Sequence, residues 1–257
     1  MDKGSIGGVI LAIAGIIAGL LIEGGNLSQI LQPTAALIVF GGTLGAVLLQ
    51  FPLATVTAAF RSLAQVFVAP RMQNDRLIQQ LVSFANKARR NGVVSLDSDL
   101  QSLKDPFLRQ SLMLAIDGTE PAELRKIMRV SLDCASEREE RLPAVFESAG
   151  GFSPTIGILG AVLGLIQVMQ HLDNIQEVGR GIAVAFVATI YGVGIANLFF
   201  LPFAGKMRIQ LREVHQRREM SLEGVISILE GMNPRMLEVK LSGFLKDSDG
   251  HERERAA

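Results

Sequence analysis

Apolar and polar positions alternate along this chain in long blocks, not at a strand's period. Four mainly apolar stretches stand out, at 5–22, 33–51, 154–170 and 181–205. Each is about long enough to cross a ~30 Å hydrocarbon core as a helix rising ~1.5 Å per residue. The first two form a tight hairpin, marked by Gly24-Gly25-Asn26 and Pro33. The last two form a second hairpin around the polar loop 171–180. Between the hairpins the pattern changes to helical amphipathicity. Leu77, Ile78, Leu81, Val82, Phe84, Ala85 and Ala88 recur at helical spacing up to the stop signal Asn91-Gly92. Ser95-Leu96-Asp97-Ser98 caps a helix toward Leu103, a short helix spans 106–115, and a longer one spans 120–141 with Leu124, Ile127, Met128, Leu132 and Ala135 on one face. These faces are narrow for independent domains, so the helices are expected to extend the spans and pack on each other.

After 205 a further helix carries Met207, Leu211, Val214, Leu222, Val225, Ile226 and Leu229. It breaks at Glu230-Gly231-Met232-Asn233-Pro234 and is followed by a short helix over 235–245 and a polar tail, 246–257, expected to be disordered. The fold class is therefore an all-α membrane protein with four transmembrane helices in two hairpins, a helical cytoplasmic domain between spans two and three, and a helical C-terminal tail. The segments are 1–51, 52–153, 154–205 and 206–257.

Charge orients this layout. Thirteen of the 25 Lys and Arg lie between the second and third stretches and ten after Phe203, whereas the two short loops hold Arg180 alone. Basic residues accumulate on the cytoplasmic side. Arg61, Arg71, Arg76, Lys206, Arg208 and Arg212 thus place both large charged regions, and both termini, in the cytoplasm. The first stretch lacks an Ala-x-Ala site and is read as an uncleaved span. Net charge is zero, so nothing points to nucleic acid. Cys134, the single cysteine, is expected to be a reduced structural thiol.

Candidate chemistry is sparse. His171, His215 and His251 show no metal-ligand spacing, and there is no Walker loop or Gly-x-Ser-x-Gly, so neither an enzyme nor a cofactor is expected. No Asp or Glu falls inside the four stretches. Gly157, Gly160, Ala161 and Gly164 make a small-residue face, and Ala183, Ala185, Ala188, Gly192, Gly194 and Ala196 make another. Such faces let backbones approach closely in lipid. They suit packing within the hairpin or contact with another subunit, and both readings stay open here. Thr155 and Thr189 are suited to bonding their own helix carbonyls. Pro154 and Pro202 are either a plain helix start and kink or a pair of hinges.

Two runs carry a resemblance: Ser153-Pro154-Thr155-Ile156-Gly157-Ile158-Leu159-Gly160-Ala161-Val162-Leu163-Gly164-Leu165-Ile166, and Ala183-Val184-Ala185-Phe186-Val187-Ala188-Thr189-Ile190-Tyr191-Gly192-Val193-Gly194 leading to Pro202. With 88–97 and 230–235, they resemble the MotA/PomA flagellar stator family over nearly the whole chain. TolQ and ExbB resemble it in the second hairpin but have one span before the cytoplasmic block. The resemblance implies a homopentameric ring around MotB/PomB-type single-span partners. A partner Asp carries the ion, and flow becomes torque on the rotor switch protein FliG in the bacterial inner membrane. It implies an ion path at Thr189, Ala161, Ala188, Thr155 and Phe186, hinges at Pro154 and Pro202, and rotor contacts at Arg89, Arg90 and Asp97. Relatives driven by sodium keep threonines at the positions of Ala161, Ala188 and Thr189. Only Thr189 remains here, which favours protons. The alternatives are a TolQ/ExbB-like energiser and a stand-alone secondary transporter. The latter calls for internal repeats and midplane polar groups, which the two unlike hairpins do not show.

Overall fold

Glycine and proline punctuate this chain, and the helices follow from where they fall. The computed structural model describes residues 3–66 and 74–255. Arg71 and the last two residues of the polar tail lie outside them. Helices α1 (Lys3–Ile22), α2 (Pro33–Gln50) and α3 (Leu53–Val66) come first. Next are α4 (Asn74–Asn91), α5 (Pro106–Ile116) and α6 (Pro121–Gln170). Last come α7 (Ile175–Leu229) and α8 (Pro234–Arg255). Gly24, Gly92, Gly118 and Gly231 take φ of 72–83° in the turns after α1, α4, α5 and α7, a region other residues rarely adopt. Asp105 caps α5, accepting from the amides of Phe107 (3.0 Å) and Leu108 (3.3 Å). Asn174 caps α7 through Gln176 (3.1 Å) and Glu177 (3.4 Å).

Among the described residues, three helices hold windows long and apolar enough to cross a membrane: α2, α6 and α7. In α1 the apolar stretch Ile6–Ile22 is 17 residues long, and no described side chain of α1 is buried. The expected starts at 120 and 154 merge into one helix of 50 residues, so Pro154 lies inside α6 instead of opening it. The missing N–H at Pro143 and Pro154 removes only one ladder bond each, and helix resumes on both sides. Likewise 181–205 and the helix after it are one element, α7. Its backbone widens into a π-type turn over Ala196–Phe200, just before Pro202, and α2 has a similar turn over Leu37–Gly41. The last helix continues past 245 to Arg255, where a disordered tail was expected.

The described residues fall into two compact units, one drawn from 1–70 and 140–209, the other from 71–139 and 210–257. In the first, α2, α3 and parts of α6 and α7 bury Val47, Val56, Ala59, Val145, Phe146, Ala149, Ala204 and Met207. Arg208 and Glu147 form a two-pronged ion pair beside this core, at 2.8 Å on the first prong.

In the second unit, stripes that are narrow one by one converge into a full core. Leu81 and Phe84 of α4, Leu108 and Leu112 of α5, Leu124 and Met128 of α6, Val225 and Ile226 of α7, and Leu237 and Leu241 of α8 all meet there. Helix α7 comes close to α4 at Gly224, where an added methyl would sit 2.6 Å from Leu81 Cδ1, so the Leu81 side chain would have to shift. Ion pairs ring this core. Arg218 pairs with Glu139 at 2.8 Å, and Glu223 accepts from both Arg125 and Lys240, the latter at 3.0 Å.

Burial pushes the Glu223 carboxyl up, but the hydrogen bonds from Arg125 and Lys240 outweigh it and hold the group below the ordinary carboxylate range. The Arg125 guanidinium is raised, chiefly by the same bond. A carboxyl lowered in the folded state stabilises fully above its unfolded value, and that stability is lost as pH falls through the folded one. Glu223→Gln should therefore lower stability by about 1–3 kcal/mol near neutral pH. The gap to the parent protein should narrow in thermal melts as pH is lowered through the acid range. A gap that keeps the same size at every pH would contradict this charge-based account.

Candidate functional site

The second hairpin is assembled backbone to backbone. On α6, Gly157, Gly160 and Gly164 recur every three to four residues. They face Gly181, Ala185, Ala188 and Gly192 on α7. A methyl on Gly192 would lie 2.5 Å from the Ser153 carbonyl oxygen, and one on Gly157 2.8 Å from the Ala188 carbonyl oxygen. One on Gly164 would lie 2.8 Å from that of Gly181. The small-residue seam is thus filled within the hairpin, which decides between the two readings left open by the sequence for these glycines.

Helix α2 closes a third side. Ile156 lies over Gly42 and Ile38 over Gly160. Phe40 stacks on Tyr191 with ring centroids 6.0 Å apart. The Tyr191 hydroxyl donates to the Ile30 carbonyl and accepts the Gln32 amide at 3.3 Å, tying α7 to the turn before α2.

The expected path residues divide between seam and surface. Ala188 is fully buried against Gly160, and Ala161 and Thr189 are half-buried. Phe186 is 69% exposed, on a stripe with Ile182, Ile190 and Val193. Thr155 is exposed, and its hydroxyl donates to the Phe152 carbonyl at 2.8 Å. The Thr189 hydroxyl donates to the Ala185 carbonyl at 3.2 Å, which leaves its oxygen lone pairs as acceptors beside the exposed stripe.

Two hydroxyls that the sequence reading passed over are also notable. Ser153 Oγ and Thr43 Oγ1 are both buried in the first unit and make no hydrogen bond among the described residues. Ser153 directly precedes Pro154, whose missing N–H frees the Gly150 carbonyl. A polar residue beside an in-span proline was the available signal. At the loop end of the hairpin, Gln32, Thr34, Gln167, Gln170 and Arg180 make the polar rim of an open cleft of about 800 Å³.

In the second unit, Arg89 and Arg90 lie in the last turn of α4, where cations oppose the helix dipole favourably, and Asp97 follows the Gly92 turn. All three are exposed. The turn is held by Lys87, which bonds Asp99 at 2.6 Å and the Ser98 hydroxyl at 2.9 Å, and by the Ser95 hydroxyl on the Gly92 carbonyl at 2.7 Å. The fold thus uses Lys87 as a clamp on this turn. Cys134 is free and exposed, and no three His, Cys, Asp or Glu among the described residues are placed to hold a metal.

Comparison with known proteins agrees along the whole chain. Residues 99–220 match the MotA/TolQ/ExbB proton channel family, and residues 6–92 match the motility protein A N-terminal family. The chain is 35% identical to motility protein A of Bacillus subtilis (strain 168), over 97% of this chain and 93% of that protein. Among solved structures it is similar to the C. jejuni MotAB structure, with a TM-score of 0.89 at 32% identity, covering 95% of this chain and 96% of that one. It is also similar to the flagellar MotAB stator complex from Bacillus subtilis, with a TM-score of 0.87 at 34% identity, covering 98% and 99%.

The seam yields a paired test. Gly192→Ala should lower the melting temperature and the yield of assembled protein in detergent, because backbone must shift, at about 1–3 kcal/mol. Gly194→Ala, with nothing within 4 Å of the added methyl, should match the parent. Equal behaviour of the two variants would refute the close approach.

Proposed function

This chain belongs to the MotA/TolQ/ExbB proton channel family, in its motility protein A branch, and from that premise we propose that it is a flagellar motor stator subunit. With a MotB-type partner it forms a proton channel and turns ion flow into torque. The carrying observation is an absence at membrane depth. The apolar stretches of α1, α2, α6 and α7 hold no Asp or Glu, and conduction needs a titratable group there. A partner helix must bring the carboxylate, and the exposed apolar stripes of α6 and α7 are suited to surround it. The match of 6–92 to the motility protein A N-terminal family favours the motor over a TolQ/ExbB-like energiser. No catalytic constellation enters this reading.

In this reading Ile6–Ile22 of α1 is the first of four spans, and the membrane hairpins are 1–51 and 154–205. The segments 52–153 and 206–257, with both termini, are cytoplasmic, and the membrane is the bacterial inner membrane. Copies of the chain form a pentameric ring around the partner. Thr189 orients water beside the partner Asp through its free lone pairs. Ala161, Ala188, Thr155 and Phe186 shape the path, and Pro154 and Pro202 let the helices flex beside it. With a hydroxyl at only one of the three positions where sodium-driven relatives keep threonine, desolvating Na⁺ lacks ligands, so the ion is the proton. Arg89, Arg90 and Asp97 dock on the rotor protein FliG. Exposed charges of this kind steer and register a contact that must form and break.

Reconstitution in liposomes tests the channel. Proton flux should appear only when the chain is combined with an Asp-bearing partner, and flux from this chain alone would defeat the reading. Thr189→Ala should reduce flux by about tenfold or more in the intact complex, a barrier change of about 1.4 kcal/mol, while Thr189→Ser retains most of it. Unchanged flux in the Ala variant would mean that Thr189 serves only its own helix.

Swimming assays test the rotor contact. Arg89→Glu or Asp97→Lys should impair torque without altering flux or assembly, because a reversed sign adds repulsion to a lost attraction. A matching reversal on the rotor face should restore part of the loss. Normal swimming in both variants would move the contact to other charges, with Arg109 next to test. Lys87, engaged as the clamp, should instead affect folding.

A further inference from the structure

Between 181 and 205, helix α7 carries three polar side chains: Thr189, Tyr191 and Asn197. Tyr191 is engaged at the turn before α2, and Thr189 belongs to the candidate path. Asn197 has no role so far. It is exposed, and it continues the outward stripe of α7. Ile182, Phe186, Ile190, Val193 and Asn197 follow at intervals of three or four residues, on one face of the helix. The side chain leans back along that face, with Nδ2 donating to the Val193 carbonyl at 2.9 Å. Its second N–H and its Oδ1 have no partner among the described residues.

The backbone at the same residue is also short of a donor. In a regular α-helix the Asn197 carbonyl accepts from the Leu201 amide. Here α7 widens over Ala196–Phe200, and the Leu201 amide bonds the Ala196 carbonyl instead. The π-type donor to Asn197 is residue 202, a proline without an N–H. A spare side-chain amide and a released main-chain carbonyl thus fall on one residue of the wall that the channel reading turns toward the partner. Facing hydrocarbon, such a residue is unfavourable, because nothing there satisfies it. Irregular backbone at membrane depth is tolerated where it is buried in protein or lines water. A bound water needs about two to four polar partners, and Asn197 supplies a donor and two acceptor groups.

We infer that Asn197 is a water-binding residue of the ion path, one stage nearer the cytoplasm than Thr189. The inference deepens the channel reading above and rests on it. From Thr189 to Asn197 the helix advances about 12 Å, at ~1.5 Å per residue. Asn197 neither gains nor loses a proton. Its amide and its released carbonyl orient a water. A proton leaving the partner carboxylate passes onto water, and this oriented water hands it on toward the cytoplasm. Asn197 is therefore a positioning residue, and Pro202 serves the same water by withholding an N–H from the carbonyl.

Proton flux into liposomes holding the full chain with its Asp-bearing partner separates hydrogen bonding from packing. Asn197→Leu keeps the size and loses the hydrogen bonds, and it should cut flux about tenfold or more in an assembled complex. Asn197→Ser is smaller but keeps a hydroxyl, and it should retain most of the flux. Asn197→Ala, close to Ser in size, should behave like Leu. Pro202→Ala restores a donor to the Asn197 carbonyl and should lower flux; combined with Asn197→Leu it should cost nothing further, since both act on one water. Flux that follows size, with Leu active and Ser inactive, overturns the inference. So does parent-like flux in both Leu and Ala. Parent-like flux in Pro202→Ala, or losses that multiply in the double variant, overturns the shared water. Should the Leu variant fail to assemble, Ser against Ala reads the same difference at nearly equal size. A parent complex that conducts no protons overturns the channel reading, and this inference with it.

Discussion

Contact between the glycines of α6 and the small residues of α7 is the constraint from which the rest of the membrane part follows. In lipid, apolar side chains gain nothing by leaving one hydrocarbon environment for another, so helices hold together through close packing and scattered hydrogen bonds. Here the packing is nearly backbone on backbone, around Gly157, Gly164, Gly181 and Gly192. That uses the smooth faces of both helices inside one chain. What remains outward is a set of larger apolar side chains with few polar atoms among them, such as Phe186, Ile190 and Val193. A hairpin of this kind offers a wall and no charge, and its chemistry has to be completed by something inserted against it.

The second unit is organised on the opposite principle. Water is available around it, so burial of apolar surface is the driving force. Five helical elements bring their stripes to a common core, and ion pairs trim its edge. Glu223 illustrates the difference. Burying a carboxylate is costly, and here it is tolerated because two cations meet it. Such an arrangement would be far more expensive in the first unit, where the buried Ser153 and Thr43 hydroxyls already lack a partner among the described residues.

Much of this was legible in the sequence. Long apolar blocks marked the spans, Asn91-Gly92 and Gly231 with Pro234 marked helix ends, and Pro106 marked a helix start, because each acts through local backbone chemistry. What local chemistry could not give was continuity. A proline at 154 reads as a start, yet the helix passes through it, since one lost ladder bond is outweighed by the packing on both sides. Nor could spacing along one helix reveal that Lys87 reaches across a turn to Asp99, or that Tyr191 bonds the carbonyl of Ile30 from far along the chain. The candidate path was legible only as residue types. Which of them lie in the seam and which on the surface depends on helix rotation, and that is set by Gly192 meeting Ser153.

The wide turns at Leu37–Gly41 and Ala196–Phe200 bear on how such chains diverge. A π-type turn holds one residue more than the α-helical turn it replaces. Elsewhere in a membrane helix, gaining or losing a residue rotates everything beyond it by about 100° and turns the seam toward lipid. At these two turns the surplus residue is absorbed locally, in a loosened loop of backbone. Either turn can take up one residue more or less while both ends of the helix keep their facing.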